Sequence, residues 1–388
     1  MRSPVKALFG SLALLCLASE ARAQDQVYNV DFFQGPVVSS NRVIGLGGAY
    51  IGVAEGADGH LVNPASIAFR PLQMSDDEFD WDFAISWLNF SEGDDRAFDL
   101  SGQQVDFKEA GFSQAGFNLK FNRRHNYAFH VSGQTFQLDI PDGGDTRRAE
   151  YRQLLGGFGY AYTFPGRELI IGGFLLVGNV EFEWTDSTEI EAGLTGGGFQ
   201  FGTLWCPKDE PWRLGAVLRT PIRSKEPSDA GAEADEVGRL IPNELLVPWE
   251  LGVGGSYAFG PRPFNPSEKL DASYPRRYVM LTADLVVTGP SDNAVGVASF
   301  LNQQPQRSGK YHSVSLRAGA ESEVIENRLV VRAGTYHEPD RFDPELGRIH
   351  GTLGGDVRIS WGWDWRLSVS YDVAHEWQNF GMGLGFWR

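Results

Sequence analysis

The residues of this sequence best able to bind a metal or move a proton are its seven histidines, His60, His125, His130, His312, His337, His350 and His375. None is spaced as H-x-x-x-H or H-E-x-x-H, so no helical turn would present two imidazoles to one zinc ion. His130, Ser132 and Asp139 carry the three side-chain types of a nucleophilic triad on one short stretch. Nothing else in the chain supports that chemistry, and no catalytic residue is expected. Gly45-Leu46-Gly47-Gly48 has the look of a phosphate loop but sits in no strand-turn-helix unit, so close packing is the better reading. No metal and no cofactor are expected.

The 388 residues include 47 Gly, and 13% are aromatic. Acidic residues outnumber basic ones by 50 to 34, which argues against a nucleic-acid partner, whose phosphates demand basic patches. A mean hydropathy of −0.27 excludes a bundle of membrane helices, and no stretch after the first 23 residues reaches the ~20 uninterrupted apolar residues of a spanning helix. Residues 1–23 read as an export leader: Arg2 and Lys6, an apolar run from Ala7 to Ala18, and Ala21-Arg22-Ala23 before Gln24. Its removal takes Cys16 and leaves Cys206 alone, so no internal disulfide is expected.

From Phe79 onward the chain alternates with period two. Trp365, Leu367, Val369, Tyr371 and Val373 interleave with Arg366, Ser368, Ser370 and Asp372, and Phe79, Trp81, Phe83, Ile85 and Trp87 with Asp80, Asp82, Ala84 and Ser86. The strands are about ten residues long, as a tilted membrane crossing requires. Aromatic residues such as Trp87, Phe90, Phe164, Trp205, Trp212 and Trp365 stand at their ends, as interfacial girdles do. Short and long connections alternate. These features predict an all-β fold, a transmembrane antiparallel β-barrel of about 14 strands spanning residues 79–388. Tight turns such as Asn122 to His125, Pro165 to Arg167 and Cys206 to Pro211 would face the periplasm; the connection from Gly260 to Arg276 is long for that side.

Residues 24–78 do not alternate. They are rich in small side chains and end on Asn63-Pro64-Ala65, which suggests a plug, or hatch, inside the lumen. Here the chain resembles the FadL family of outer-membrane transport proteins for long-chain fatty acids and toluene. The matching features are Arg42, Gly45, Gly47-Gly48-Ala49, the acidic stretch Glu55 to Asp58, and Asn63-Pro64-Ala65. Weaker echoes recur at Leu214 to Ile222, Leu245 to Phe259 and Val314 to Pro339. The resemblance implies a barrel of about 14 strands with an N-terminal hatch, passing hydrophobic molecules inward. Secretion-associated barrels of the PorV type share a similar Gly-Gly-Ala and Asn-Pro-Ala opening, so a non-transporting secretion or assembly scaffold is the rival reading. Family barrels end on an aromatic residue read by the assembly machinery, whereas this chain ends Trp387-Arg388.

Two strands bear on passage. In the fifth, both phases are apolar, and Ile171, Leu175 and Val177 are assigned to the lumen wall as substrate candidates. In the third, the apolar phase changes from Tyr127, Phe129 and Val131 to Phe136, Leu138 and Ile140, which predicts a bulge at Ser132, Gly133, Gln134 and Thr135. The FadL family is known for an inward kink in its third strand that opens the wall laterally. The resemblance therefore implies a passive channel in the outer membrane of a Gram-negative bacterium. Its expected partners are a hydrophobic small molecule or lipid, outer-membrane lipids with lipopolysaccharide, and the barrel assembly machinery.

Overall fold

The structure, a computed structural model, describes residues 29–32, 35–69, 79–90, 100–101, 106–142, 145–184, 192–225, 242–266, 275–343, 347–361 and 363–386. The expected leader and the terminal Trp387 and Arg388 lie outside them. The described chain opens with strand β1 (Asn29–Asp31) and helix α1 (Asn41–Gly45), followed by single 3-10 turns at Ala57–Gly59 and Pro64–Ala68. Strands β2 (Asp80–Phe90), β3 (Asp106–Lys120), β4 (His125–Asp142), β5 (Asp145–Thr163), β6 (Leu169–Trp184), β7 (Ala192–Trp205) and β8 (Trp212–Arg219) follow. After the short β9 (Ile222–Lys225) and β10 (Glu244–Val247) come β11 (Glu250–Phe259) and β12 (Val279–Thr288), then β13 (Ala294–Gly296), helix α2 (Val297–Leu301) and β14 (Arg307–Ser308). The chain ends with β15 (Ser313–Ile325), β16 (Leu329–Pro339), β17 (Gly347–Trp361), β18 (Trp363–Ala374) and β19 (Trp377–Phe386).

Fourteen of these strands close into an antiparallel barrel. Each pairs with the next, except that β8 pairs with β11 and β12 with β15, and β19 returns to β2 through Asn379↔Phe90 to Gly385↔Ala84. Closure removes both sheet edges, the one arrangement in which strands can cross lipid with every backbone group bonded. The five short strands lie against the long-loop end. There β9 pairs with β7 and β10, and β1 lies parallel between β10 and β13, an addition that alternation along the wall strands does not foretell.

The apolar phase faces outward. Leu367, Val369, Tyr371 and Val373 are exposed, while Arg366, Ser368, Ser370 and Asp372 are buried inside. An exposed apolar surface around a closed barrel belongs in lipid. Trp81, Phe83, Phe117, Trp365 and Phe386 cluster at the short-turn end of that surface. Phe90 departs from the expected girdle: it is buried in the lumen against Phe136 and Trp377.

On β6 the expectation is reversed. Ile171, Leu175 and Val177 are 42%, 48% and 52% exposed on the lipid side, and Ile170, Phe174, Leu176, Val180 and Phe182 face inward. With both phases apolar, alternation could not choose between them; the contact of Gly172 with Pro64 inside the barrel does. The expected bulge is also absent. The β3–β4 ladder runs unbroken from Ala110↔Phe136 to Lys120↔Asn126, and the β4–β5 ladder is continuous throughout. Even positions face inward along β4, so Phe136 does not mark a slip in register. It marks where the lumen lining changes from His130, Ser132 and Gln134 to apolar.

The outward placement of Leu175 near the middle of β6 gives a measurable expectation. Leu175→Arg should lower the unfolding free energy of the barrel in lipid vesicles by about 2–4 kcal/mol. A change below ~0.5 kcal/mol would place this residue off the lipid face.

Candidate functional site

Residues 35–69 lie inside the barrel and are held by hydrogen bonds to inward-facing wall groups. Ser40 caps α1 with its hydroxyl accepting from Val43 N, and Asn41 Oδ1 accepts from Ser370 Oγ at 2.7 Å. Asp284 Oδ2 accepts from Tyr50 N and Ile51 N at 2.7 and 2.8 Å, Asp82 accepts from Ala57 N at 2.8 Å, and His60 Nε2 lies 2.6 Å from Asn118 Oδ1. The Asn63-Pro64-Ala65 motif begins the second 3-10 turn. Asn63 is extended, as a residue before proline prefers, and its Oδ1 accepts from Ala65 N at 3.0 Å. Its amide donates to Ile51 O at 2.8 Å and Thr203 O at 3.0 Å, so one side chain ties two parts of the inner segment to β7. A Cβ at Gly202 would run into Asn63, which is why that wall position carries none.

Below the inner segment, toward the short turns, lies an ionic floor. Arg42 bridges Glu55 at 2.8 Å and Glu321 at 2.7 Å, Arg213 reaches Glu55 at 2.6 Å, and Arg332 joins Glu321 at 2.5 Å to Asp356 at 2.6 Å. Arg366 continues the chain from Asp356 at 3.6 Å to Asp58 at 2.9 Å. All eight side chains are buried. Tyr278 donates to Glu321 at 2.6 Å. The long connection after β11 finds its purpose here: Phe264 O and Asn265 Oδ1 accept from Arg213, and the Phe264 ring lies 3.5 Å from its guanidinium carbon. Cys206, in the turn after β7, is buried against Arg167 O and Glu168 O, and desolvation pushes its thiol up to about 11. The sequence signal for the floor was available: Arg213, Glu321, Arg332, Asp356 and Arg366 all stand on the inward phase, close to a short turn.

Above the floor is a cavity of about 160 Å³ between the inner segment and the wall. Val37, Val38, Ile51 and Val62 come from inside, Phe112, Gln134, Gln153, Leu155 and Leu176 from β3 to β6. Of the β6 candidates, Leu176 reaches this cavity in place of Ile171, Leu175 and Val177. Outside the same wall is an open recess of about 750 Å³, floored where Gly111, Ser113 and Gly133 offer little or no side chain. Phe112, Gly133, Gln134 and Gln153 line both spaces. Thus Ser132 belongs to the cavity, Thr135 to the recess, and Gly133 and Gln134 to both, without any bulge in the strand.

The nucleophilic set is not assembled. Ser132 and His130 face the lumen, while Asp139 pairs with Arg148 beyond them on the other phase of β4.

No family model matches the sequence, and no curated protein matches it. Solved structures do match in fold. A Pseudomonas aeruginosa FadL homologue is 13% identical over 90% of this chain and 98% of its own, with a TM-score of 0.57. The Pseudomonas putida toluene transporter TodX is 12% identical over 92% and 99%, also at 0.57. The Ralstonia pickettii toluene transporter TbuX is 13% identical over 89% and 97%, at 0.55. The chain therefore has the FadL-type fold that its motifs resemble.

Two substitutions test how the inner segment is seated. Asn63→Ala removes three hydrogen bonds and should cost about 1–3 kcal/mol while raising single-channel conductance in planar bilayers. Unchanged conductance and stability would show that Asn63 does not seat the segment. Glu321→Gln leaves Arg42 and Arg332 without their shared carboxylate and should cost about 3–5 kcal/mol in urea unfolding. A loss under ~1 kcal/mol would mean that the floor is not built on this group.

Proposed function

We propose that the protein is a passive outer-membrane channel for small hydrophobic molecules, with residues 24–78 as its hatch. A solute enters among the loops, rests in the cavity beside the inner segment, and leaves sideways through the wall between β3 and β5. One observation carries this reading: the cavity and the membrane-facing recess lie back to back across the β3–β5 sheet and share Phe112, Gly133, Gln134 and Gln153 as lining. Local parting of the ladder rungs beside Gly133 and Gln134, with rotation of the side chains there, would join the two spaces. Lateral exit also spares an apolar solute from water, worth about 0.8 kcal/mol for each CH₂ kept covered.

The cavity bears on size. A protein cavity of about 150 Å³ accommodates benzene, so 160 Å³ suits one small ring or a short chain. A long acyl chain requires the inner segment to move. The neighbours named as toluene transporters agree with the smaller solute, although the likeness to them is one of fold.

The test fills the recess from outside. A side chain at Gly133 would meet only ordinary contacts, its Cβ 3.7 Å from Gln153 O and 3.8 Å from Ser113 Oγ. Gly133→Leu should therefore fold normally and lower the uptake of labelled toluene into proteoliposomes about fivefold or more. Unchanged uptake by the folded variant would reject this exit.

A further inference from the structure

Tyr151 on β5 is fully buried, and its hydroxyl finds no hydrogen-bond partner among the described residues. Leaving such a group unpaired is unfavourable enough to need a reason. The other deeply buried tyrosines are satisfied: Tyr50 donates to Glu55 O, and Tyr336 to Asp372. Around Tyr151 stand three aromatic rings, Phe32 stacked at 5.2 Å, Phe182 at 5.2 Å and Phe136 at 5.8 Å between centroids. Two of these belong to the wall, and Phe136 is the direct register partner of Tyr151. The third does not. Phe32 comes from the N-terminal segment, anchored through its backbone N to Leu246 O, and it also lines the cavity. The next inward-facing rung of the β4–β5 ladder toward the short turns pairs Gln134 with Gln153, both cavity residues.

We infer that Tyr151, Phe136 and Phe182 form a binding site for a single planar aromatic ring bearing a hydrogen-bond acceptor, such as an aryl ketone, and that the Phe32 ring occupies this site when the channel is empty. The inference rests on the proposed passage of small hydrophobic molecules and narrows their class. The stacked Phe32 ring shows that the box accepts an aromatic ring at the spacing such pairs prefer. Phe32 has no polar atom on its side chain, so it fills the box and leaves the phenol unpaired. A carbonyl on the incoming ring accepts from the Tyr151 hydroxyl, and a site built for that bond discriminates against a plain hydrocarbon of the same size.

The experiment compares acetophenone with ethylbenzene, close in size and differing by the carbonyl, by calorimetric titration of the purified full-length barrel in micelles. Tyr151→Phe should weaken acetophenone about fivefold to tenfold and leave ethylbenzene unchanged. Phe32→Ala should tighten both about threefold or more, because the resident ring no longer competes. An acetophenone-to-ethylbenzene affinity ratio that Tyr151→Phe leaves unaltered overturns the hydrogen-bond assignment. Unchanged or weaker binding of both by Phe32→Ala overturns the idea of a resident ring. Proteoliposome uptake separates this inference from the passage reading. Binding that depends on Tyr151 with no uptake above empty liposomes supports the site and rejects passage. Normal uptake with no dependence of binding on Tyr151 rejects the site and keeps passage.

Discussion

Four guanidinium groups and four carboxylates share the floor of the lumen, and the position of everything above follows from their pairing. Arg42, Glu55 and Asp58 come from the inner segment; Arg213, Glu321, Arg332, Asp356 and Arg366 come from five wall strands. Buried ions are costly to desolvate, and a buried pair gains little net stability over well-packed apolar residues. Its value lies in position, because a shift of the segment by one bond length or two would strand a charge without its partner. The segment is thus fixed at α1 by Arg42 and at its middle by Glu55 and Asp58.

Once the floor is set, the wall must accommodate the segment closely. Gly172, Gly202 and Gly215 face Pro64, Asn63 and Ile51 where any Cβ would collide. Those glycines lower local strand stability, which closure of the barrel and the ladders on either side offset. Above them the lining changes character. Val37, Val38, Ile51 and Val62 line the cavity with Phe112, Leu155 and Leu176, and the aromatic group around Tyr151 continues upward toward the loops. On the opposite side, near the loop ends of β16 to β18, a second buried ionic group joins Glu338, Arg348, His350 and Asp372, and Arg341 pairs with Asp31.

The barrel itself was legible because lipid and lumen impose opposite demands on alternate residues, as Leu367 to Val373 display against Arg366 to Asp372. Asn63, at the head of a proline turn of small side chains, is buried against Thr203 O of β7. Two misreadings have one physical origin. Period-two reasoning takes the apolar phase for the lipid phase, and it loses its reference where the lumen is apolar too. On β6 that made Ile171, Leu175 and Val177 indistinguishable from Phe174 and Leu176, and on β4 it turned an apolar lumen residue, Phe136, into a false register shift. Short strands such as β1 and β10 pair across more than 200 residues of sequence, and no local pattern announces such a partner.

The same division of the lumen bears on where a solute can leave. To pass straight through, it would have to open the floor, and separating even one buried pair there costs on the order of 3–5 kcal/mol. The lateral route crosses the β3–β4–β5 ladder beside Gly133, where each backbone hydrogen bond parted costs about 0.5–1.5 kcal/mol net and Phe112, Gln134 and Gln153 face the lumen. For the proposed passage the difference favours the side. Gln134 ends the polar run of His130, Ser132 and Gln134 on β4, and Gln153 faces it on β5. The two carboxamides can bond to each other's surroundings when the wall is closed and to a passing polar substituent when it opens, so the barrier stays low in both states. An apolar pair in the same place would seal more tightly but would offer nothing to a solute that carries one oxygen, which is the kind of solute the Tyr151 hydroxyl on the next inward-facing rung is proposed to hold.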